Sequence, residues 1–191
     1  MKNIAIFASG SGTNAENIIR YFSTRNCAKV KLVLCNRQQA LVIKRAEDLG
    51  VKTIFFDRND FYASSRVADI LSENRIDFIV LAGFLWLVPD IITGTFTGRI
   101  VNIHPALLPS YGGKGMYGDI VHKAVIARGD RESGITIHYV NRNYDEGDII
   151  FQAKCTVEAG DDHESLARKV HALEYEHFPR AIEELIEKLP D

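Results

Sequence analysis

Short apolar runs alternate with helix-like stretches over residues 3–103, and this rhythm constrains the fold more than any other feature of the chain. Continuous apolar strands separated by helices are typical of a parallel sheet that helices cover on both faces. The predicted strands are Asn3–Ala8, Val30–Cys35, Thr53–Phe56, Phe78–Leu81 and Arg99–Ile103. The predicted helices between them are Asn14–Phe22, Ala40–Leu49, Ala63–Glu73 and a short Pro89–Thr93.

After residue 133, the apolar runs give way to strands with alternating apolar and polar residues. Gly134–Val140 alternates apolar and polar residues, and a second strand, Asp148–Cys155, follows a turn-rich segment, which predicts an antiparallel pair. A long helix is predicted from about His163 to Leu189. Because no repeat or linker interrupts the chain, we predict one domain over residues 1–191. Its expected fold is a doubly wound, mostly parallel, Rossmann-like α/β sheet with an antiparallel C-terminal strand pair and a long final helix.

The composition of the chain argues against several classes of binding partner. A net charge of −2 argues against a broad electrostatic surface for nucleic acid or an anionic membrane. The three cysteines form no C-x-x-C pair, which is typical of reduced thiols in the cytoplasm and not of a disulfide or zinc site. No apolar run approaches the roughly 18 residues of a membrane span, and the first residues predict a strand, not a signal peptide. We therefore expect a cytoplasmic protein with small-molecule substrates.

An acidic run before the last helix resembles a metal cluster at first sight. Asp161 as N-cap with Glu164 three residues later is a capping-box variant, and this is the better interpretation. The histidines at 122, 138 and 177 show no ligand spacing. We predict no metal.

One strand end carries an amide and an imidazole. Asn102 and His104 are two residues apart, so both side chains lie on one face of the strand that Pro105 ends. An amide can donate to a developing oxyanion, and an imidazole can move a proton near neutral pH. If Asp145 reaches His104, it could orient the ring and raise its pKa. The alternatives are a strand that runs into a proline turn and, for Asp145, an ordinary hairpin turn.

The segment between the first strand and the first helix, residues 9–14, contains two glycines. Gly10 and Gly12 permit a tight turn, and Thr13 and Asn14 lie at a helix N-terminus, which together predict an anion site, most plausibly for a phosphate. No Gly-Lys-Ser/Thr follows, and Ala15 occupies the third glycine position of the dinucleotide motif. The alternative is a tight turn that binds nothing.

Three further segments are ambiguous. Leu81–Pro89 could form the wall of a pocket for a flat ring, although core packing is the stronger interpretation on sequence alone. Pro105–Gly118, which contains Lys114, could be a mobile flap or a disordered surface loop. On the last helix, His171, Glu174 and Tyr175 share one face, which is usually solvated.

Taken together, these motifs resemble those of the folate-dependent phosphoribosylglycinamide formyltransferases. The resemblance rests on residues 9–14, on Leu81-Ala82-Gly83-Phe84, on Asn102-Ile103-His104-Pro105 with Leu107-Leu108-Pro109, and on Asp145 followed by residues 149–153. It covers nearly the whole chain in the order of the family. It implies transfer of a formyl group from 10-formyltetrahydrofolate to the amine of 5-phosphoribosylglycinamide, with no metal, no ATP and no covalent enzyme intermediate.

The resemblance also implies site residues. Catalysis would fall to Asn102, His104 and Asp145, and binding of phosphoribosylglycinamide to Gly12, Thr13, Asn14 and Glu174. The folate would contact Leu85, Trp86, Leu87, Val88, Asn102 and Val140, the last at the start of a loop that runs to Asp145. The resemblance leaves a monomer and a homodimer equally open.

Two alternatives remain. The first is another formyl-folate enzyme, such as a methionyl-tRNA formyltransferase or a formyltetrahydrofolate deformylase. The resemblance implies that enzymes of both kinds have chains longer than these 191 residues. The second is a nucleotide-binding module without catalysis, which would leave Asn102, His104 and Asp145 without a shared purpose. Substitution of His104 by alanine would then leave ligand binding intact.

Overall fold

A computed structural model describes residues 1–190, and its seven strands form one sheet in the order β3-β2-β1-β4-β5-β6-β7. The strands are β1 Lys2–Ala8, β2 Ala28–Cys35, β3 Lys52–Phe55, β4 Phe78–Leu81, β5 Ile100–His104, β6 Glu132–Tyr139 and β7 Ile149–Thr156. The helices are α1 Thr13–Phe22, α2 Leu41–Asp48, α3 Arg58–Tyr62, α4 Arg66–Glu73, α5 Asp90–Thr95, α6 Asp119–Arg128 and α7 His163–Glu187.

The direction of the strands confirms the predicted fold. Strands β1 to β5 are parallel, whereas β6 runs antiparallel to β5, and β7 runs antiparallel to β6. The chain first builds outward from β1 through β2 to β3 and then returns to place β4 on the other side of β1. In open parallel sheets, ligands bind where the strand order reverses in this way, outside the carboxyl ends of the strands. We therefore expect a ligand site at the carboxyl ends of β1, β4 and β5.

The sheet is buried on both faces, which explains its continuous apolar strands. In β1, Ile4, Ile6 and Ala8 pack into a core beneath α1 and α7, and Ala5 and Phe7 pack into a second core on the opposite face. Because both faces of the strand exclude water, alternation of polar and apolar residues is absent there.

The helices differ from the prediction in two respects. The helix predicted over Ala63–Glu73 is present as α4 but begins at Arg66, and a separate short helix, α3, precedes it and ends at Tyr62. A capping box between Asp57 and Asp60 starts α3 earlier than the apolar periodicity indicates. Helix α6 was not predicted, because its apolar residues do not keep to one face: Ile120 is exposed, whereas Val121 is buried.

The N-terminus of α7 is also capped differently from the prediction. Asp162, not Asp161, is the N-cap, and its partner is Ser165, not Glu164. Asp161 instead bonds Lys169, and this bond is the main reason that the pKa of Asp161 is lowered to about 2. Within residues 1–190, no helix combines the length and the apolar character that crossing a membrane requires.

The segment Pro105–Gly118 is anchored at its start, so the interpretation as a disordered surface loop is wrong for its first residues. Ala106 and Leu108 are buried. The hydroxyl of Thr136 accepts a bond from the backbone N–H of Leu108 and donates one to the carbonyl of Ala106, and Gln152 donates to the carbonyl of Leu108. Thr136 of β6 and Gln152 of β7 hold the first part in place, and residues Gly113–Gly118 lie over the carboxyl ends of the strands. A mobile flap stays a prediction for these later residues.

Candidate active site

A single cavity of about 1010 Å³ runs along the carboxyl ends of β1, β4 and β5. It is wide enough for two small molecules side by side, since ligand pockets in proteins are usually about 300–1,000 Å³. Its lining includes the residues Ser9–Asn14, Arg37, Arg58, Tyr62, Ala82–Leu87, Asn102–Pro105, Gly113–Asp119, His122, Tyr144, Asp145, Ala167, His171 and Glu174.

The three predicted catalytic residues meet at the floor of this cavity. Asp145 Oδ2 lies 3.5 Å from His104 Nδ1, and Asp145 Oδ1 lies 3.5 Å from Asn102 Nδ2. The backbone N–H of Gly113 donates to Asp145 Oδ2 at 2.9 Å. The turn between β6 and β7 therefore brings its carboxylate to the end of β5, which the interpretation of Asp145 as an ordinary hairpin residue does not explain.

The ring of His104 is held from both sides. Nε2 lies 2.7 Å from the carbonyl oxygen of Tyr111, which can only accept, so Nε2 carries a hydrogen and donates it. Only 3% of His104 is exposed, and this burial lowers its pKa below the ordinary histidine value. Asp145 acts in the opposite direction, as predicted from the sequence, but the net shift is downward because burial has the larger effect. The resting ring is neutral near pH 7.

Asp145 is an ionised carboxylate. Its burial opposes ionisation, but its neighbours His138 and His104 and the N–H of Gly113 together lower its pKa below the usual aspartate value. A negative charge thus lies beside the bare Nδ1 of the neutral His104 ring. If that nitrogen takes up a proton, the resulting charge is stabilised at once by its neighbour.

The sequence interpretation missed His138. It stands opposite Asn102 in the antiparallel pair of β5 and β6, and Asn102 Nδ2 lies 3.1 Å from His138 Nε2. His138 Nδ1 donates to the carbonyl of Tyr139 at 2.8 Å, so Nε2 is free to accept from the amide. Such a bond orients the Asn102 amide, and only the register of the two strands reveals it.

The predicted anion loop joins β1 to α1. Gly12 has a φ of +76°, and a Cβ at this position would lie 2.5 Å from the Cβ of Val42, so no other residue fits here without displacing the backbone. The N–H groups at the start of α1 then face the cavity beside Thr13 and Asn14. A helix N-terminus with this exposure favours an anion.

Glu174 lies on α7 and reaches the same end of the cavity. It is only 4% exposed, and its Oε2 accepts from Asn14 Nδ2 and from His171 Nδ1, each at 2.8 Å. The bond to Glu174 raises the pKa of His171 above its ordinary value. The interpretation of this face of α7 as solvated is therefore wrong for Glu174, which is buried and bonded to α1, whereas His171 and Tyr175 on the same face are exposed.

The opposite end of the cavity is aromatic and apolar. Leu85, Trp86 and Leu87 line it, together with Tyr62 and Arg58, whose guanidinium lies 5.1 Å from the centre of the Trp86 ring. The sequence interpretation did not single out Arg58, because it belongs to α3, which was not predicted.

Two predicted folate contacts lie outside the cavity lining. Val88 is buried in the second core, and Val140 packs against that core from its edge. Val88 directly follows the cavity residues after β4. The N–H of Val140 donates to the carbonyl of Ile100 in β5, so Val140 lies close behind the lining. Core packing was the stronger interpretation of 81–89 on sequence alone, and it holds for Val88 but not for the residues 85–87.

Within residues 1–190, one group of side chains has the spacing of metal ligands, and it lies away from the cavity. Cys27, Glu183 and Glu187 offer ligand atoms within 4.8 Å of one another. Glu183 already accepts from Tyr21 and pairs with Arg25, so protein groups satisfy its charge.

Comparison with known proteins identifies relatives of the whole chain. The sequence profile of the formyl transferase family matches residues 2–182. The chain is 37% identical to a chloroplastic phosphoribosylglycinamide formyltransferase of Arabidopsis thaliana, over 98% of this chain and 66% of that relative. It is 34% identical to the phosphoribosylglycinamide formyltransferase of Bacillus subtilis, over 97% of this chain and 95% of the relative. The chain spans slightly less than two thirds of two plant relatives.

Solved structures show the same fold. Glycinamide ribonucleotide transformylase 1 from Symbiobacterium toebii superposes with a TM-score of 0.89 at 33% identity, over 98% of this chain and 88% of that one. Phosphoribosylglycinamide formyltransferase from Bacillus halodurans superposes with a TM-score of 0.87 at 36% identity, over 98% and 96% of the two chains.

Proposed function

The chain belongs to the formyl transferase family, and on that premise we propose that it transfers a formyl group from 10-formyltetrahydrofolate to the amine of 5-phosphoribosylglycinamide. The products are formylglycinamide ribonucleotide and tetrahydrofolate, a step of purine biosynthesis. The observation that supports this most is the position of Asn102, His104 and Asp145, midway along one cavity between an anion site and an aromatic wall.

The anion end suits the phosphorylated acceptor. The phosphate would bind the N–H groups of Gly12, Thr13 and Asn14, where the helix dipole favours negative charge. Glu174 accepts two hydrogen bonds within the protein, and a carboxylate has about four lone-pair positions, so it can still accept from a ribose hydroxyl or an amine.

The apolar end suits the formyl donor. The flat pterin would pack against Leu85, Trp86 and Leu87, with Val88 and Val140 supporting this wall from behind, and the amide of Asn102 would contact it near the formyl group. The glutamate part of a folate carries carboxylates, and Arg58 provides a positive charge at the mouth of this end.

The proposed chemistry uses the residues at the centre. The amine attacks the formyl carbon, and Asn102 Nδ2 keeps its bond to His138 and turns the hydrogen of its longer contact with Asp145 to the oxygen that becomes negative. Nδ1 of the neutral His104 ring takes the proton that the amine loses, and the imidazolium is stabilised by Asp145 and adds its charge beside the oxyanion. When the tetrahedral species collapses, this proton passes to the folate nitrogen that leaves, through a water that Asp145 helps to orient. The transfer of the formyl group therefore needs neither ATP nor a covalent bond to the enzyme.

The proposal is tested by absorbance-monitored turnover of 10-formyltetrahydrofolate in the presence and absence of 5-phosphoribosylglycinamide. We expect turnover that requires the glycinamide. Folate consumption without any acceptor would replace the proposal with a deformylase, and an absence of turnover under both conditions would leave a binding module.

Replacement of Arg58 by alanine is expected to raise KM for the folate roughly tenfold while kcat stays within about twofold of the wild type. One charge-assisted hydrogen bond contributes about 1.5–3 kcal/mol before solvent exposure weakens it, and 1.4 kcal/mol corresponds to a factor of ten. Because Arg58 lies over Tyr62 and Trp86 and contacts none of the three central residues, we expect its loss to weaken the ground state and the transition state equally.

The matched control is Arg66→Ala. Arg66 is exposed, pairs with Asp60 at 2.7 Å and does not line the cavity, so its KM should remain that of the wild type. Equal KM values for Arg58→Ala and the wild type would contradict the placement of the glutamate part at Arg58.

Several properties remain predictions of this proposal. We propose that residues 1–191 act as a single formyltransferase domain, as a monomer or a homodimer, in the cytoplasm and without a metal. The single sheet that includes all seven strands supports the domain assignment.

A further inference from the structure

We propose that Tyr111 is a positioning residue, which fixes the ring of His104 and assigns proton exchange to Nδ1, the nitrogen that faces Asp145. The consequence for catalysis rests on the proposed function, whereas the consequence for the ring does not. Tyr111 does not line the active-site cavity, so it acts only through His104.

The first step of the argument is the contact between the two residues. The carbonyl oxygen of Tyr111 lies 2.7 Å from His104 Nε2. A carbonyl cannot donate, so this contact requires a hydrogen on Nε2 in both the neutral and the charged ring. Proton uptake and release then take place at Nδ1, which lies 3.5 Å from Asp145 Oδ2. A ring turned over or tautomerised would direct its mobile proton away from that carboxylate.

The second step is how the carbonyl of Tyr111 is kept in place. Tyr111 has a φ of +59°, a conformation that a residue other than glycine rarely adopts. Its hydroxyl donates to Asp130 Oδ2 at 2.5 Å, and Arg128 pairs with Asp130 and lies 5.9 Å from the centre of the tyrosine ring. The side chain of Tyr111 therefore ties this unfavourable backbone conformation to the loop between α6 and β6.

The third step is that one hydrogen bond holds the hydroxyl end of this side chain, whereas its ring packs partly against the core beneath α1 and α7. Tyr111 and Asp130 lie on the wall of a second cavity of about 440 Å³, separate from the active site, which also includes Glu132. Because the core contacts lie on one side of the ring and open space lies on the other, the hydrogen bond to Asp130 fixes the direction of the side chain towards the α6–β6 loop. Loss of that bond should release the carbonyl from His104.

The test is Tyr111→Phe, which removes the hydroxyl and retains the ring. We expect kcat to fall roughly tenfold with both KM values within twofold of the wild type, since a misplaced proton-transfer group affects the transition state alone. In 15N spectra without substrates, the His104 ring should change from the single Nε2–H tautomer to a mixture. Its signals are assigned by their loss in His104→Ala.

Asp130→Ala should reproduce both effects, and the double variant should be no worse than either single variant, because both act through one bond. Glu132→Gln is the control, since Glu132 lies on the same cavity wall but pairs with Lys154. An unchanged tautomer in a folded Tyr111→Phe protein would overturn the proposal, whatever its kcat. If turnover is absent in the wild type, the spectra still decide the role of Tyr111, and only the proposed function falls.

Discussion

Replacement of His104 by alanine is expected to reduce kcat by about three orders of magnitude, with KM for both substrates nearly unchanged. A positioned general acid–base group contributes about 10²–10⁴-fold, and this ring both takes the proton and adds a charge beside the oxyanion. No other group in the cluster is placed to substitute. Asn102 has no proton to exchange, and His138 bonds Asn102 from behind and does not line the cavity.

Steady-state turnover and substrate affinity should be measured separately for this variant. His177→Ala is a suitable control, because His177 packs against Phe151 on the surface and does not line the cavity. A His104→Ala enzyme with kcat within threefold of the wild type would remove His104 from the mechanism. Loss of binding together with turnover would indicate instead that the cavity itself had changed.

Replacement of Asp145 by asparagine is expected to lower kcat by a similar factor, about 10²–10⁴-fold, although the two side chains have nearly the same shape. The carboxylate faces three nitrogens that can donate: His104 Nδ1 when protonated, Asn102 Nδ2 and the N–H of Gly113. Asparagine offers one accepting oxygen, and its NH₂ group would face another donor. The unpaired donor and the lost charge both oppose protonation of His104.

The ionisation of His104 provides a second measurement for Asp145→Asn. Asp145 raises the pKa of His104 against the larger effect of burial, so its neutralisation should lower that pKa still further below the ordinary value. Titration of the His104 ring by NMR, in the variant and in the wild type, would show whether its pKa falls. Asp148→Asn, in the same hairpin, is the control, because the backbone carbonyl of Asp148, not its carboxylate, bonds Tyr139. An unchanged or raised pKa in Asp145→Asn would contradict the pairing.

The sequence was sufficient to predict the sheet, the anion loop and the central pair of residues, and each for a local reason. A strand buried on both faces must be apolar throughout, as Ile4–Ala8 is, and a turn that combines a positive φ with no room for a Cβ must carry glycine, as Gly12 does. Asn102 and His104 share a face because side chains in a strand alternate with a period of two.

The remainder depended on distances that no local pattern encodes. His138 joins the site through the register of β5 and β6, and Tyr111 through a backbone carbonyl, which its side chain does not reveal. Arg58 could not be predicted because it lies on α3, and the start of α3 is fixed by a capping box and not by apolar periodicity. The pKa of His104 results from two opposed effects, and the depth of burial that decides between them is a property of the folded chain.

The bond between Asn14 and Glu174 joins residues 160 positions apart and has a consequence for synthesis of the chain. When a ribosome has made the first five strands, the loop between β1 and α1 can already form, but the carboxylate that bonds Asn14 has not been made. The same helix supplies Leu166, Val170 and Phe178, which cover one face of the sheet. Nascent chains therefore gain the Glu174 carboxylate and the cover over this face of the sheet together, when α7 is made, and a chain that stops before α7 has neither.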